Sequence, residues 1–349
     1  MRAIDFSSRE LCEPPIRTTG VRPRLTGLTT ALVALLLVTL CTAEAQGAGK
    51  TVTVGYFSPA APPNPVDAAF EQSLQRLGWL KDQNIRIEYR HSRGRQDLIA
   101  PFAAELVSRK VDVFVAWGAH GAVAARRATS QIPVVFLSAF FFDPVDAGLV
   151  ASLARPGGNA TGVMVFGVET DAKRLQLLKD AVPALRRVAL LLSTEQNVTS
   201  ERKRMLAAAA KELRLEIRET EVDTPSALEN AVRRAKEQGA QALYVWPSGF
   251  TFSFGKQISE VALANRLPSI HGYKETVAAG GLLSYAPSLT EIARHGAVYV
   301  DKVLRGARPG DLPVEQPTRF ELAVNLKTAK ALGLTIPPSL MLGAEYVTE

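Results

Sequence analysis

A chain of 349 residues with 47% apolar side chains has room for two domains and enough apolar surface to bury a core, which excludes a disordered chain. Its 41 Lys and Arg against 34 Asp and Glu leave a net charge of +7, yet these charges are interspersed along amphipathic stretches. A basic solvated surface is therefore expected and nucleic-acid binding is not.

The first segment is a targeting signal by its pattern. Arg17, Arg22 and Arg24 precede the apolar run "LTGLTTALVALLLVTLCTA", and Ala43-Glu44-Ala45 follows as a small-x-small cleavage site. Residues 1–45 are read as a secretory signal peptide cleaved after Ala45. The rival is an uncleaved anchor, since the run approaches the roughly 20 residues that span a bilayer, but Thr26, Thr29, Thr30 and Thr39 dilute it. Leu40 stands where a lipid-attachment site before Cys41 wants a small residue, so a lipid anchor is not expected. Both cysteines, Cys12 and Cys41, fall in this leader. The remainder then has no disulfide framework and no thiolate chemistry.

From Thr51 the chain alternates short apolar runs with helical stretches. "TVTVGYF" reads as a strand, and "NPVDAAFEQSLQRLGW" places Val66, Ala69, Phe70, Leu74 and Leu77 at helical spacing. "NIRIEYRHS" (strand), "LIAPFAAELVSRK" (helix), "VDVFVAWG" (strand), "AHGAVAARRAT" (helix) and "IPVVFLSAF" (strand) continue the pattern. It restarts after Gly167 with "ETDAKRLQLLKDAVPAL", where Thr170 and Asp171 are potential caps. "RRVALLLS", "EIRETEV", "AQALYVWP" and "PSIHGY" are the strands of this half, with helices between them. Strand-helix repetition implies α/β architecture: two doubly wound, Rossmann-like lobes, each a parallel sheet covered on both faces.

Ligands of such sheets bind beyond the carboxyl ends of the strands. In this chain those ends break into polar loops. One half offers Ser58, Gly118, Ala119, His120, Ser138, Phe142 and Asp143; the other offers Thr194, Glu195, Asn197, Trp246, Ser248, His271 and Tyr273. If the two edges face each other, they line a cleft with hydroxyls, aromatics and backbone N–H groups, which grips a small polar molecule without chemistry on it.

Three stretches carry a family resemblance: "AFEQSLQRLGWLKDQNIRIEYRHSRGR", "DPVDAGLVASLARPGGNATGV" and the long "GGLLSYAPSLTEIARHGAVYVDKVLRGARPGDLPVEQPTRFELAVNLKTAKALGLTIPPSL". With them the chain from Thr51 to Glu349 resembles the substrate-binding proteins of ABC transporters, in the type I periplasmic branch that includes tryptophan and phenylalanine binders. The resemblance implies three crossovers between lobes, near Asn159–Val165, Gly281–Tyr285 and Thr318–Asn325. The lobes would then be 51–163 plus 284–317 and 164–283 plus 318–349, with Tyr285 in the second crossover as hinge packing or cleft wall. It also implies a monomer in the periplasm that captures a small molecule and presents it to a permease served by an ATPase. Three positions depart from the family pattern: Phe142 and Asp146, where glycine is usual, and His120. They bear on the ligand, not on the fold.

The favoured ligand is an amino acid or a related small carboxylate, possibly aromatic. The helix start after Trp117 suits a carboxylate, Phe142, Trp246 and Tyr273 suit an aromatic group, and Asp143 or Glu195 suits an ammonium. The alternative ligand is a neutral or aromatic solute such as a nucleoside or a phenolic acid. Each residue also has a plainer reading: Trp246 as core, Asp143 as a turn cap before Pro144, His120 as a surface residue. His91, His120, His271 and His295 show no metal-ligand spacing, and dinucleotide, P-loop and nucleophile-elbow motifs are missing, so neither metal, cofactor nor catalysis is expected. The competing functions are a ligand sensor for a membrane receptor on the same fold and an exported α/β enzyme.

Overall fold

Five short apolar runs build the first sheet: β1 (Val52–Ser58), β2 (Ile85–His91), β3 (Val113–Trp117), β4 (Val134–Leu137) and β5 (Ala160–Val163). They pair in the order β2-β1-β3-β4-β5, every pair parallel. This is a computed structural model, and it describes residues 51–137, 143–164, 168–193, 200–317 and 319–348.

The central strands are apolar along their length because helices cover both faces of the sheet. On one face Val54, Tyr56, Val113 and Val115 pack with Phe70 and Leu74 of helix Pro65–Arg76 and with Ile292 and Val300 of helix Leu289–Leu304. On the other, Phe114, Ala116 and Phe136 pack with Leu106 of helix Ile99–Ser108 and with Ala122 and Ala125 of helix Gly118–Ala128. Burying one such Leu or Phe stabilises the fold by about 1.5–3 kcal/mol.

The second sheet has seven strands in the order β12-β11-β10-β9-β8-β6-β7. These are β6 (Arg187–Ser193), β7 (Glu216–Val222), β8 (Ala242–Val245), β9 (Ser269–His271), β10 (Leu283–Pro287), β11 (Phe320–Asn325) and β12 (Ala344–Thr348). Only the β10–β11 pair is antiparallel. Helix Val168–Ala181 contributes Leu175 and Leu178 to the core on one face. Helix Leu228–Glu237 (Ala231, Val232) and helix Gly255–Ala264 (Ile258, Ala262) close the other. Both sheets thus have the doubly wound form that the strand-helix repetition implies.

The chain passes between the sheets three times. Two passages run side by side: Met164 N donates to Glu315 O at 2.9 Å, and Glu315 N to Gly162 O at 3.0 Å. Gly162 fits β5 against β4, because a Cβ there would lie 1.9 Å from its partner Phe136 O. β10 holds Leu283–Pro287 in the second sheet, so residues 284–287 pack there and the passage follows at Ser288. Phe320–Asn325 likewise belongs to the second sheet as β11. Among the described residues no helix is long and apolar enough to cross a membrane. The 1–45 leader lies outside the described residues.

Candidate functional site

The carboxyl ends of β1, β2 and β3 converge on a cavity of about 1020 Å³. Ser58 and Trp117 are the last residues of β1 and β3, and Ser92 sits just past β2. Strand order reverses between β1 and β3, where loops part and leave a crevice. From the second half, Ser248, Gly249, Phe252 and Tyr273 close the opposite wall.

Local sequence explains how each wall is held. Gly118 adopts φ 78°, a left-handed turn that only glycine makes freely, and the chain enters helix Gly118–Ala128 at once. No side chain caps this helix start, so its first N–H groups are left without an intrahelical or side-chain acceptor where Gly118, Ala119, His120 and Gly121 line the cavity. Gly121 lets the helix press on β1: a Cβ there would lie 2.6 Å from the Phe57 ring.

Trp117 is 6% exposed and is fixed from behind. Its indole N–H donates to Tyr56 OH at 2.6 Å. Beside Tyr56 lies Asp67, whose Oδ2 accepts from Asn64 Nδ2 at 2.7 Å and stands 2.8 Å from His91 Nε2. Asn64 in turn caps helix Pro65–Arg76, accepting from Val66 N and Asp67 N at 3.1 and 2.9 Å. Burial, and then the Asp67 charge, push the Tyr56 hydroxyl well above its ordinary pKa, so it stays protonated.

Across the cavity, Ser248 and Thr251 form a capping box on helix Gly249–Ser253: Thr251 N donates to Ser248 Oγ at 3.0 Å and Ser248 N to Thr251 Oγ1 at 2.8 Å. That short helix presents Phe252, whose ring meets Tyr273 edge-on at 4.9 Å. Tyr273 OH donates to Ser248 O at 3.3 Å. Trp117, Phe252 and Tyr273 thus give the cavity three aromatic walls.

Seven expected site residues line this cavity: Ser58, Gly118, Ala119, His120, Asp143, Ser248 and Tyr273. His120 faces the cavity, and burial lowers its pKa. Asp143 is held as a turn cap, its Oδ1 accepting from Val145 N at 2.7 Å. Three candidates are placed elsewhere. Trp246 is fully buried in the core of the second sheet, with the Arg202 guanidinium 4.6 Å above its ring. His271 is buried within β9, its Nε2 3.0 Å from Ser269 Oγ. Tyr285 stacks on Phe320 at 5.6 Å. Ser138, Phe142, Thr194, Glu195 and Asn197 lie outside the described residues.

Trp117, Phe252 and Arg127 also line the cavity without having been expected there, as does Asp146, expected only to bear on the ligand. The Ser248…Thr251 spacing was the available signal for the helix that carries Phe252. A buried ionic knot supports the second half below its strand ends. Asp171 accepts from Arg174 Nη1, Arg202 Nε and Tyr244 OH at 2.9, 2.7 and 2.8 Å, and Arg174 Nε donates to Tyr285 O at 2.8 Å. Among the described residues no group of His, Cys, Asp and Glu could hold a metal ion.

Two parallel-sheet lobes with a cavity at their strand ends define the periplasmic-binding-protein architecture, and the solved structures agree. A conserved domain protein from Vibrio cholerae superposes with a TM-score of 0.78 at 23% identity, over 86% of this chain and all of that one. An ABC domain from Streptococcus pneumonia in complex with L-Trp superposes with a TM-score of 0.76 at 24% identity, over 85% of this chain and all of that one. Residues 66–348 match the family described as ABC transporter substrate binding protein, and the chain belongs to that family. A "Tyrosine-binding protein" of Clostridioides difficile (strain R20291) is 28% identical over 265 residues, 76% of this chain and 75% of the relative.

Proposed function

We propose that this substrate-binding protein serves an ABC importer by capturing an aromatic amino acid in the cavity between its two lobes. The observation that carries the reading is the cavity wall. Trp117, Phe252 and Tyr273 offer flat apolar faces, while the uncapped start of helix Gly118–Ala128 offers N–H donors beside them. An aromatic side chain stacks on the first, and a carboxylate is stabilised by the second. The relatives support this class of ligand: one carries tyrosine in its name, and one structure holds L-Trp.

In this reading residues 1–45 export the chain to the periplasm, where a monomer binds solute, closes and hands it to a permease driven by an ATPase. The passages at Met164, Ser288 and Glu315 serve as the hinge. No bond of the solute is made or broken.

Titrating the purified protein with the L-amino acids tests the proposal. An aromatic amino acid should raise the melting temperature in proportion to the logarithm of its concentration and be recovered unchanged. Failure of Tyr, Trp and Phe alike, or turnover of any of them, overturns it.

A further inference from the structure

The cavity does not end at the aromatic wall. From His120 it continues along one face of helix Gly118–Ala128, past Val123 and Ala124 to Arg127. The span from His120 to Arg127 is about 10 Å along the helix axis. The facing wall is helix Ile99–Ser108, which contributes Ile99, Ala100 and Ala104, and the turn at Asp143–Ala147 contributes Asp146. At about 1020 Å³ the space reaches the top of the roughly 300–1,000 Å³ range of sites for drug-sized ligands. A free amino acid fills only a fraction of it.

Arg127 and Asp146 mark the outer end. They come from different elements and line the same cavity, yet neither side chain has a hydrogen bond or ion pair among the described residues. The guanidinium is a fork for a carboxylate and the Asp146 carboxylate an acceptor for an ammonium. An apolar slot thus joins an aromatic compartment with helix-start donors to a mouth that carries both signs of charge.

We infer that the cavity takes an aromatic dipeptide, its aromatic residue against Trp117 and Phe252 and its second residue lying in the slot with a charged terminus at Arg127 or Asp146. The inference rests on the proposed aromatic binding site and lengthens its ligand. A carboxyl terminus at the mouth meets Arg127, and an amino terminus meets Asp146. The terminal charge left at the inner end determines which order the protein prefers.

Calorimetric titration of the purified protein with L-Tyr, Tyr-Ala and Ala-Tyr tests it. At least one dipeptide should bind tenfold or more tightly than L-Tyr. Arg127→Ala or Asp146→Ala, both exposed positions whose loss leaves the core intact, should then lower the ratio of dipeptide to amino-acid affinity about tenfold. If L-Tyr binds and both dipeptides bind more weakly, the long ligand is wrong while the aromatic site stands. If a dipeptide binds tightly but neither variant changes the ratio, the outer subsite is wrong. If none of the three probes binds, the aromatic reading itself fails, and this inference with it.

Discussion

Ser253 Oγ donates to the carbonyl oxygen of Pro59 at 2.9 Å, joining the last residue of the Phe252-bearing helix to the loop after β1. The same seam brings Gly94 against the Ser253 and Phe254 side chains, and Gly249 against Pro59. These contacts tie the two halves across one rim of the cavity. A hydrogen bond of this kind contributes about 0.5–1.5 kcal/mol net. Ser253→Ala should therefore weaken L-Tyr binding about two- to tenfold by favouring the open form. Titration measures the affinity, and at the same sub-saturating ligand concentration X-ray scattering should give a larger radius for the variant than for the wild type. Unchanged affinity would show that the seam does not report closure.

The two tryptophans should differ in whether their loss weakens binding. Trp117→Ala removes a cavity wall and should cost L-Tyr binding about 1 kcal/mol or more, roughly fivefold in affinity. Trp246→Ala leaves the cavity walls in place but empties a fully buried site. It should cost about 3–5 kcal/mol of stability in urea unfolding. Tyr56→Phe is the subtler variant: it strands the buried Trp117 indole N–H, at about 1–3 kcal/mol of stability. A Trp246→Ala protein that keeps its stability and loses its ligand would reverse the two assignments.

Much of the fold was legible in the sequence because its signals are local. "VDVFVAWG" could only be a covered strand, and glycine after Trp117 marks a tight strand-to-helix turn whatever surrounds it. The lining of the cavity was legible where it depends on strand ends, as for Ser58, His120, Ser248 and Tyr273. It was hidden where a side chain's direction decides. Trp246 and Trp117 both end apolar strands, yet one faces the core under Arg202 and the other the cavity in front of Tyr56. Periodicity gives the alternation of faces but not which face a neighbouring helix will cover. Phe252 was missed because its helix is a single capped turn, too short for a periodic signal.

Gly121 offers a test of how rigidly the start of helix Gly118–Ala128 is seated. Its Cα packs on Phe57, and an added methyl would sit 2.6 Å from that ring, far inside contact distance. Gly121→Ala should cost about 1–3 kcal/mol through overpacking. Phe57→Leu in the same chain should restore part of that loss. Absence of any rescue would place the cost in the helix backbone rather than at this contact.

His271 gives the protein an acid-sensitive point away from the ligand. It is fully buried within β9, and burial pushes its pKa down to about 3 from the usual value of about 6.5. Above about pH 6.5 the imidazole is neutral in both folded and unfolded chains and adds no pH dependence. As pH falls below that, the unfolded chain takes up a proton that the folded chain refuses until about pH 3. Stability is therefore lost on acidification across this window, at up to about 1.4 kcal/mol per pH unit. Glu275, whose pKa burial raises, acts in the opposite sense: its contribution is lost as pH rises. Comparing the wild type with His271→Gln isolates the histidine, since the rest of the profile is shared. Melting temperatures between pH 4 and 8, a range set by that window, should fall more steeply toward acid in the wild type than in the variant. Parallel profiles would mean that the buried imidazole is protonated in the fold.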